Sequence, residues 1–209
     1  MGVWCTISKS WIVVLAFCAL VAAAADFTWD WRNQDVIGRT DSSLNNTSKL
    51  TEPERAELLD TVVLRLQKPM SERGYDDQRI REIASTTRLR FLDLGEGNPV
   101  ILAMSLGLEG GCDVLVNCPF WIFRHTKDGY VSLLDTVGAS YTIQPTSTNG
   151  FSDLVILRHD SPSRSKLTLY KYADGKYGDA GCYIATWPAT KDGEIQDPEI
   201  ASCKAEDSK

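Results

Sequence analysis

The sequence predicts an α+β protein in which N-terminal helices pack on a mainly antiparallel β-sheet or a small β-sandwich. Residues 51–87 carry apolar side chains at helical spacing, whereas strand-forming runs follow one another from Leu89 onward. The hairpin signals Asp128-Gly129 and Asp174-Gly175 join neighbouring runs. Because no helical pattern separates these runs, an antiparallel sheet is favoured over parallel βαβ units.

The first 25 residues have the layout of a cleavable secretory signal. Lys9 precedes a fifteen-residue apolar run, Trp11 to Ala25, which ends in four alanines. That run is shorter than the roughly 20 residues a membrane-spanning helix needs. Lipidation at Cys18 is disfavoured, because Phe17 is bulky where lipoprotein processing sites have a small residue and because the apolar run continues past Cys18. We therefore predict a periplasmic or secreted protein with no stable membrane anchor after cleavage.

Cleavage after residue 25 leaves 184 of the 209 residues, enough for one domain. It also leaves an even number of cysteines, which favours disulfides in an oxidising compartment: Cys112, Cys118, Cys182 and Cys203. The Cys-x5-Cys spacing differs from zinc knuckles, and the chain has only two histidines. We predict the pairs Cys112 with Cys118 and Cys182 with Cys203, although four cysteines permit three connectivities.

The charge pattern excludes two classes of partner. The net charge is −6, or −7 without Lys9, and the chain contains no basic run. It therefore lacks the electrostatic footprint for phosphate backbones or anionic lipid, and nucleic acid is not an expected partner. The negative charge itself is an ordinary solubility feature.

The segment 26–50 is predicted to be an irregular arm or linker, with Trp29 and Trp31 docked on the domain. A helical segment at 51–87 follows. Its first helix, Thr51 to Gln67, starts with a capping box formed by Thr51 and Glu54, and Pro69 helps to end it. The second helix is predicted over Asp76 to Ala84.

Residues 88–188 are predicted to form the antiparallel β-domain, and 189–209 a charged tail held by Cys203. The predicted strands begin with the alternating run from Leu89, and the others are Val100 to Leu106, Phe120 to Arg124, Tyr130 to Leu134, Ser140 to Ile143, Asp153 to Arg158, Lys166 to Tyr172 and Tyr177 to Trp187. About eight strands are too few for a closed propeller, which needs at least about four blades of four strands.

A series of motifs in fixed order covers about half of the chain that follows the leader. They are Gly111-Cys112, Asn117-Cys118-Pro119-Phe120-Trp121-Ile122-Phe123-Arg124, Gly129-Tyr130, Leu133-Leu134-Asp135, Thr148-Asn149-Gly150-Phe151-Ser152-Asp153-Leu154-Val155, and Tyr170 through Gly181-Cys182-Tyr183. This block resembles a family of uncharacterised secreted bacterial proteins, a family with no activity to transfer. The stretch Phe91 to Pro99 resembles a shortened FG-GAP or VCBS strand and loop, without the dense Asp-Asn-Asp series.

Two groups of residues are candidates for a metal or for acid-base chemistry. Asp93, Glu96 and Asn98 offer oxygen ligands for calcium in a loop with two glycines, but they are few for a cation that takes 6 to 8 oxygens. A solvated glycine turn explains them equally, and we predict no metal or other cofactor. A hydrolase would use His125 or His159 with the carboxylates of Asp128 and Asp153.

Surface turns explain both histidines more simply, since the chain has no Gly-x-Ser-x-Gly elbow. The remaining candidates are aromatic: Trp121, Phe123 and Trp187 would bind a ligand if one face of the sheet is uncovered. These patterns favour a non-catalytic protein that binds an envelope or extracellular protein or glycan. A hydrolase and a calcium-stabilised structural module are the alternatives.

Overall fold

The computed structural model describes residues 29–36, 41–95, 97, 99–188 and 196–204. The predicted signal peptide at 1–25 lies outside the described residues. In the described part, two α-helices and two five-stranded antiparallel sheets follow a short 3-10 helix at Trp31–Asn33. Neither helix of this part is long and apolar enough to cross a membrane.

Helices α1, Glu52–Ser71, and α2, Asp77–Ser85, lie in the segment where the sequence predicts them. The Thr51 hydroxyl accepts from the Glu54 N–H, and the Glu54 carboxylate accepts from the Thr51 N–H at 2.8 Å, which completes the capping box. Helix α1 runs past Pro69, where the sequence predicts its end. A proline so near the C-terminal end removes one helical hydrogen bond, and the buried Met70 holds the last turn in the core.

Sheet I contains the first five strands in sequential order: β1 (Ser42–Ser43), β2 (Arg88–Asp93), β3 (Pro99–Met104), β4 (Cys118–Thr126) and β5 (Gly129–Gly138). Strands β4 and β5 form the hairpin predicted at Asp128-Gly129. Their register shifts between Ile122 and Phe123, which leaves Leu133 as an extra residue on β5.

Sheet II contains β6 (Ser140–Thr148), β7 (Phe151–Ser161), β8 (Arg164–Ala173), β9 (Lys176–Thr186) and β10 (Glu199–Ser202), in the order β10-β9-β8-β7-β6. The turn at Asp174-Gly175 joins β8 and β9 as predicted. The eight predicted runs all overlap strands of the two sheets. Strands β1 and β10 are additional, and they lie in segments predicted to be an arm and a loose tail.

Buried side chains arrange these elements in layers. Phe120 and Ile122 of β4 pack with residues of sheet II in a core between the sheets, whereas Trp121 and Phe123 pack with helix residues in a second core. A smaller cluster covers the outer face of sheet II, with Trp29 against it. Sheet I is therefore covered on both faces, by the helices and by sheet II.

Candidate functional site

Both predicted disulfides are confirmed. Cys112 and Cys118 are joined with a Cα–Cα distance of 3.9 Å, and Cys182 and Cys203 with a distance of 5.3 Å. The first bond lies in the connection from β3 to β4, and we call residues 107–118 of this connection the disulfide loop. The second bond ties β10 to β9. Disulfides of this kind are typical of proteins in oxidising compartments.

The disulfide loop contains an unusual backbone conformation at Val116. Its φ is +65°, in the left-handed region, and Gly107 and Gly111 take φ values of +81° and +94° in the same loop. A branched Cβ makes this conformation unfavourable by about 1 to 3 kcal/mol, unlike at glycine. The surroundings of Val116 must therefore hold it there.

Asp113 supplies much of that restraint. Its carboxylate accepts hydrogen bonds from the backbone N–H of Leu115 and of Asn117, both at 2.9 Å, and from the Asn117 side chain at 2.8 Å. Its carbonyl accepts from the Val116 N–H at 3.0 Å. Burial opposes the charged form of Asp113, but the hydrogen bonds from Asn117 and Leu115 outweigh it and hold its pKa below the usual range.

Asn117 fastens the loop to sheet II. The Asn117 side chain donates to the His159 carbonyl at 2.8 Å and accepts from the His159 N–H at 2.7 Å, so it pairs with that backbone as a strand would. Asn117 is buried, and unpaired amide groups at such a position would be costly. The loop is thus held by the disulfide, by Asp113 and by Asn117.

This restrained loop keeps three apolar side chains in water. Leu108 is 65 % exposed, Val114 88 % and Val116 65 %. They surround a hollow of about 360 Å³ whose lining residues are Gly107, Leu108, Cys112, Asp113, Val114 and Val116. Single exposed apolar residues are ordinary, but a cluster held by so many restraints marks a candidate interaction site.

Two arginines lie near the hollow, and the acidic side chains of Glu82, Glu109 and Asp113 outnumber them. Arg79 bridges Glu82 at 2.9 Å and Glu109 at 2.6 Å, and Arg73 donates to the Leu108 carbonyl at 3.4 Å. Asp113 adds a negative charge to the lining. The rim therefore has no excess of positive charge that would attract an anionic surface.

His125 lies at a different corner of the molecule, where β4 meets the first turn of α1. Its Nε2 is 3.5 Å from a Glu57 carboxylate oxygen and its Nδ1 is 4.0 Å from a Glu54 oxygen. Its ring lies against Tyr130 at a tilt of 35°, with the ring centroids 4.6 Å apart. Burial, with the charges of Glu54 and Glu57, raises the pKa of Tyr130 to about 12. Tyr130 therefore stays protonated at neutral pH.

His159 lies on β7 and contacts a serine. Its Nδ1 is 2.9 Å from the Ser165 hydroxyl, but Ser165 is 0 % exposed, so a substrate cannot reach that hydroxyl in this conformation. Burial lowers the pKa of His159, and the charge of Asp113 opposes this. The distance between His159 and Ser165 is that of a general base and its nucleophile, but the burial of Ser165 does not suit catalysis.

The structure places the other two members of the acid-base set elsewhere. Asp128 lies in the β4–β5 turn, where its N–H donates to Thr126. Asp153 is buried and accepts from the hydroxyls of Thr146 and Thr148 at 2.8 Å and 2.7 Å. In the described contacts, neither histidine meets either of these carboxylates.

The condition under which Trp121 and Phe123 would bind a ligand, an uncovered face of the sheet, is not met. They are 2 % and 0 % exposed, because α1 and α2 cover this face of β4 while sheet II covers the opposite face. Trp187 is half-buried and packs edge-on against Trp29, with ring centroids 6.0 Å apart. Of the three aromatic candidates, only Trp187 keeps a partly exposed surface.

Only one of the three calcium candidates can be placed. The Asp93 carboxylate accepts from the Gly95 N–H at 2.9 Å, so one of its oxygens is engaged in the turn. Glu96 and Asn98 lie outside the described residues. Within the part of the chain that the structure describes, no three His, Cys, Asp or Glu residues are grouped to hold a metal ion.

Sequence reasoning missed Leu108, Val114 and Val116. A local signal for the last two exists, because Val114-Leu115-Val116 is an apolar run enclosed between Cys112 and Cys118. A run confined to so short a closed loop has little freedom to reach the core. Leu108 has no such signal, since its exposure follows from the path of the chain after β3.

No protein-family model, curated protein or solved structure matches this chain. The resemblance to a family of secreted bacterial proteins accordingly stays a prediction.

Proposed function

We propose that this chain is a secreted or periplasmic, non-catalytic protein that binds another protein at the cell envelope through the disulfide loop. The observation that carries the proposal is the exposure of Leu108, Val114 and Val116 on a loop that is strained and restrained at once. Backbone strain concentrates at functional sites, where the surroundings maintain it.

Two features support the extracytoplasmic location. The sequence of residues 1–25 has the pattern of a secretory signal, and the cysteines beyond it pair in disulfides. Cytosolic thiols are kept reduced, so a loop that depends on Cys112–Cys118 requires an oxidising compartment.

The chemistry of the rim favours a protein over a lipid surface or a nucleic acid. The nearby Arg79 is neutralised by Glu82 and Glu109, and Asp113 is itself negative. Anionic lipids and phosphate backbones both require an excess of basic over acidic residues, which this rim does not have. A protein that inserts an apolar side chain into the hollow needs no such positive charge.

The size of the hollow indicates what the partner offers. About 360 Å³ is at the small end of ligand pockets, and it suits one or two apolar side chains. An anchor that fills such a hollow and displaces its water would act as a hot spot, with the polar rim around it. A preorganised loop lowers the ordering cost of binding.

Peptide selection tests the proposal without a known partner. A random peptide library is panned on the wild-type protein after depletion on a Val114→Asp variant. We expect the selected peptides to carry apolar anchors and to bind Val114→Asp and Leu108→Asp at least about tenfold more weakly, or ~1.4 kcal/mol. A photo-crosslinker at position 114 then identifies the partner in the envelope of the producing cell.

The matched control is Val131→Asp, because Val131 is 40 % exposed on β5, away from the loop. It should bind the selected peptides as the wild type does. The proposal is wrong if Val131→Asp weakens binding as much as Val114→Asp does. It is also wrong if the wild type sediments with anionic vesicles through the loop.

A further inference from the structure

A second cavity lies away from the disulfide loop, between β5 of sheet I and β9 of sheet II. Its volume is about 390 Å³, and α1 contributes Arg65 to its rim. The polar side chains on its lining are Arg65, Ser132, Asp135, Tyr170, Lys176 and Asp179. We call this cavity the inter-sheet cleft.

Both strands that wall the inter-sheet cleft are irregular where they line it. Leu133 is the extra residue on β5, and Ala180 is the extra residue on β9, where the register shifts opposite Leu169 and Tyr170. A β-bulge bends its strand and turns the neighbouring side chains, and bulges are frequent beside binding sites. Here Leu133 lines the cavity itself, and Ala180 directly follows Asp179, which lines it.

The charged groups of the inter-sheet cleft balance one another. Arg65 and Lys176 oppose Asp135 and Asp179, and an Arg65 nitrogen is already 3.1 Å from an Asp135 oxygen. A free anion would therefore meet two carboxylates, and a free cation two positive groups. A zwitterion would have to break the Arg65–Asp135 pair to use its charges.

These groups nevertheless keep unused hydrogen-bonding capacity. A guanidinium has five donor hydrogens and a carboxylate about four acceptor sites, and the Arg65–Asp135 pair uses one of each. The Tyr170 hydroxyl is 3.0 Å from the Thr136 hydroxyl, and it also interacts with Asp179. The donor groups of Arg65 and Lys176 and the acceptor groups of Asp135 and Asp179 therefore line the same cleft.

A sugar hydroxyl both donates and accepts, so neighbouring hydroxyls match such a wall without disturbing its ion pair. Leu133, Leu134 and Tyr177 also line the cleft, but they are only 1 %, 5 % and 5 % exposed, so the polar groups carry the recognition. We propose that the inter-sheet cleft binds a small neutral saccharide. This site is separate from the protein-binding loop, and either can exist without the other.

Titration by heteronuclear NMR tests the proposal on the whole chain. D-glucose, N-acetylglucosamine and maltose are added in turn, with glycine and inorganic phosphate as zwitterionic and anionic probes. We expect saturable shifts with at least one sugar, centred on residues 132–135 and 176–179, and weaker or no shifts with the charged probes. The proposal fails if no sugar produces saturable shifts there, or if glycine or phosphate produces the larger ones.

Two variants assign the binding to the proposed groups. Asp179→Asn and Arg65→Gln should each weaken the bound sugar at least about fivefold, since they remove hydrogen bonds to charged groups. The control is Arg81→Gln, because Arg81 forms an exposed pair with Asp60. The assignment is wrong if Arg81→Gln weakens sugar binding as much as the two cleft variants do. It is also wrong if neither cleft variant weakens sugar binding. The unchanged amide spectrum of each variant verifies its fold.

Discussion

Val116 shows how a single residue links backbone energy to a proposed binding surface. Its left-handed φ of +65° turns the chain so that the exposed side chains of Val114 and Val116 flank one hollow. The Asp113 carboxylate offsets the backbone strain at Val116, because it accepts hydrogen bonds from the N–H groups of Leu115 and Asn117. The hydrogen bonds of Asp113 thus stabilise the loop in a conformation that is unfavourable for the Val116 backbone.

Replacing Val116 by glycine should stabilise the fold. Glycine takes φ of +65° without steric cost, and we expect the free energy of unfolding to rise by up to about 1 kcal/mol after its extra chain entropy is subtracted. Urea denaturation measures the change. Val114→Gly is the matched control, because Val114 is not among the described residues with positive φ. Equal destabilisation by both variants would show that Val116 is unstrained.

Acidification should loosen the loop through Asp113. Its pKa is lowered in the folded state, so the stability it contributes is present above the unfolded value and is lost as pH falls through the folded value. We expect Asp113→Asn to be less stable than the wild type at pH 7 and the difference to shrink below about pH 4. Urea denaturation across this pH range measures it. A difference independent of pH would contradict the expectation, and Asp174→Asn serves as the control for loss of one turn carboxylate.

At the scale of elements, the two disulfides have different roles. Cys182–Cys203 closes a separation of 21 residues and holds the edge strand β10 on β9, where the Cys203 N–H donates to the Cys182 carbonyl. Cys112–Cys118 closes a separation of only 6 residues and shapes a loop. A longer closed loop restricts the unfolded chain more, so Cys182–Cys203 should contribute more to stability than Cys112–Cys118.

Serine substitution of each cysteine pair separates these roles. We expect loss of Cys182–Cys203 to cost about 3 kcal/mol and loss of Cys112–Cys118 about 2 kcal/mol in urea denaturation. Only the double variant that lacks Cys112–Cys118 should lose binding of the selected peptides. If the Cys182–Cys203 variant loses peptide binding while it remains folded, the disulfide loop is not the binding surface.

At the scale of the whole molecule, local patterns predicted most elements but not what covers them. Side chains alternate between the two faces of a strand, so Phe120 and Ile122 lie on one face of β4 and Trp121 and Phe123 on the other, and each face is occupied by a different core. Whether helices or water lie over Trp121 depends on contacts with α1 and α2, distant in sequence. The capping box at Thr51 and the Asp-Gly turns depend on neighbouring residues, so they were predictable. Exposure of Leu108 is a tertiary property and was not.

Arg90 provides the clearest connection among these layers. On β2 of sheet I, it contacts the Asp41 carboxylate at 2.9 Å, donates to the Tyr141 hydroxyl of sheet II at 2.9 Å and pairs with Asp35 at 3.1 Å. Its hydrogen bonds to Asp41 raise its pKa above the usual value despite partial burial. One guanidinium therefore joins the two sheets to the segment that precedes α1.

Arg90→Lys should weaken that connection, because an ammonium cannot reproduce a planar fork with several directed donors. We expect a loss of about 1 to 3 kcal/mol in urea denaturation, the range for hydrogen bonds to charged groups. Arg81→Lys is the control, since its pair with Asp60 is exposed and should change stability by less than about 0.5 kcal/mol. Limited proteolysis should also cut the variant sooner near Asp35 and Asp41. If Arg90→Lys and Arg81→Lys are equally stable, the Arg90 network adds nothing measurable to the stability of the fold.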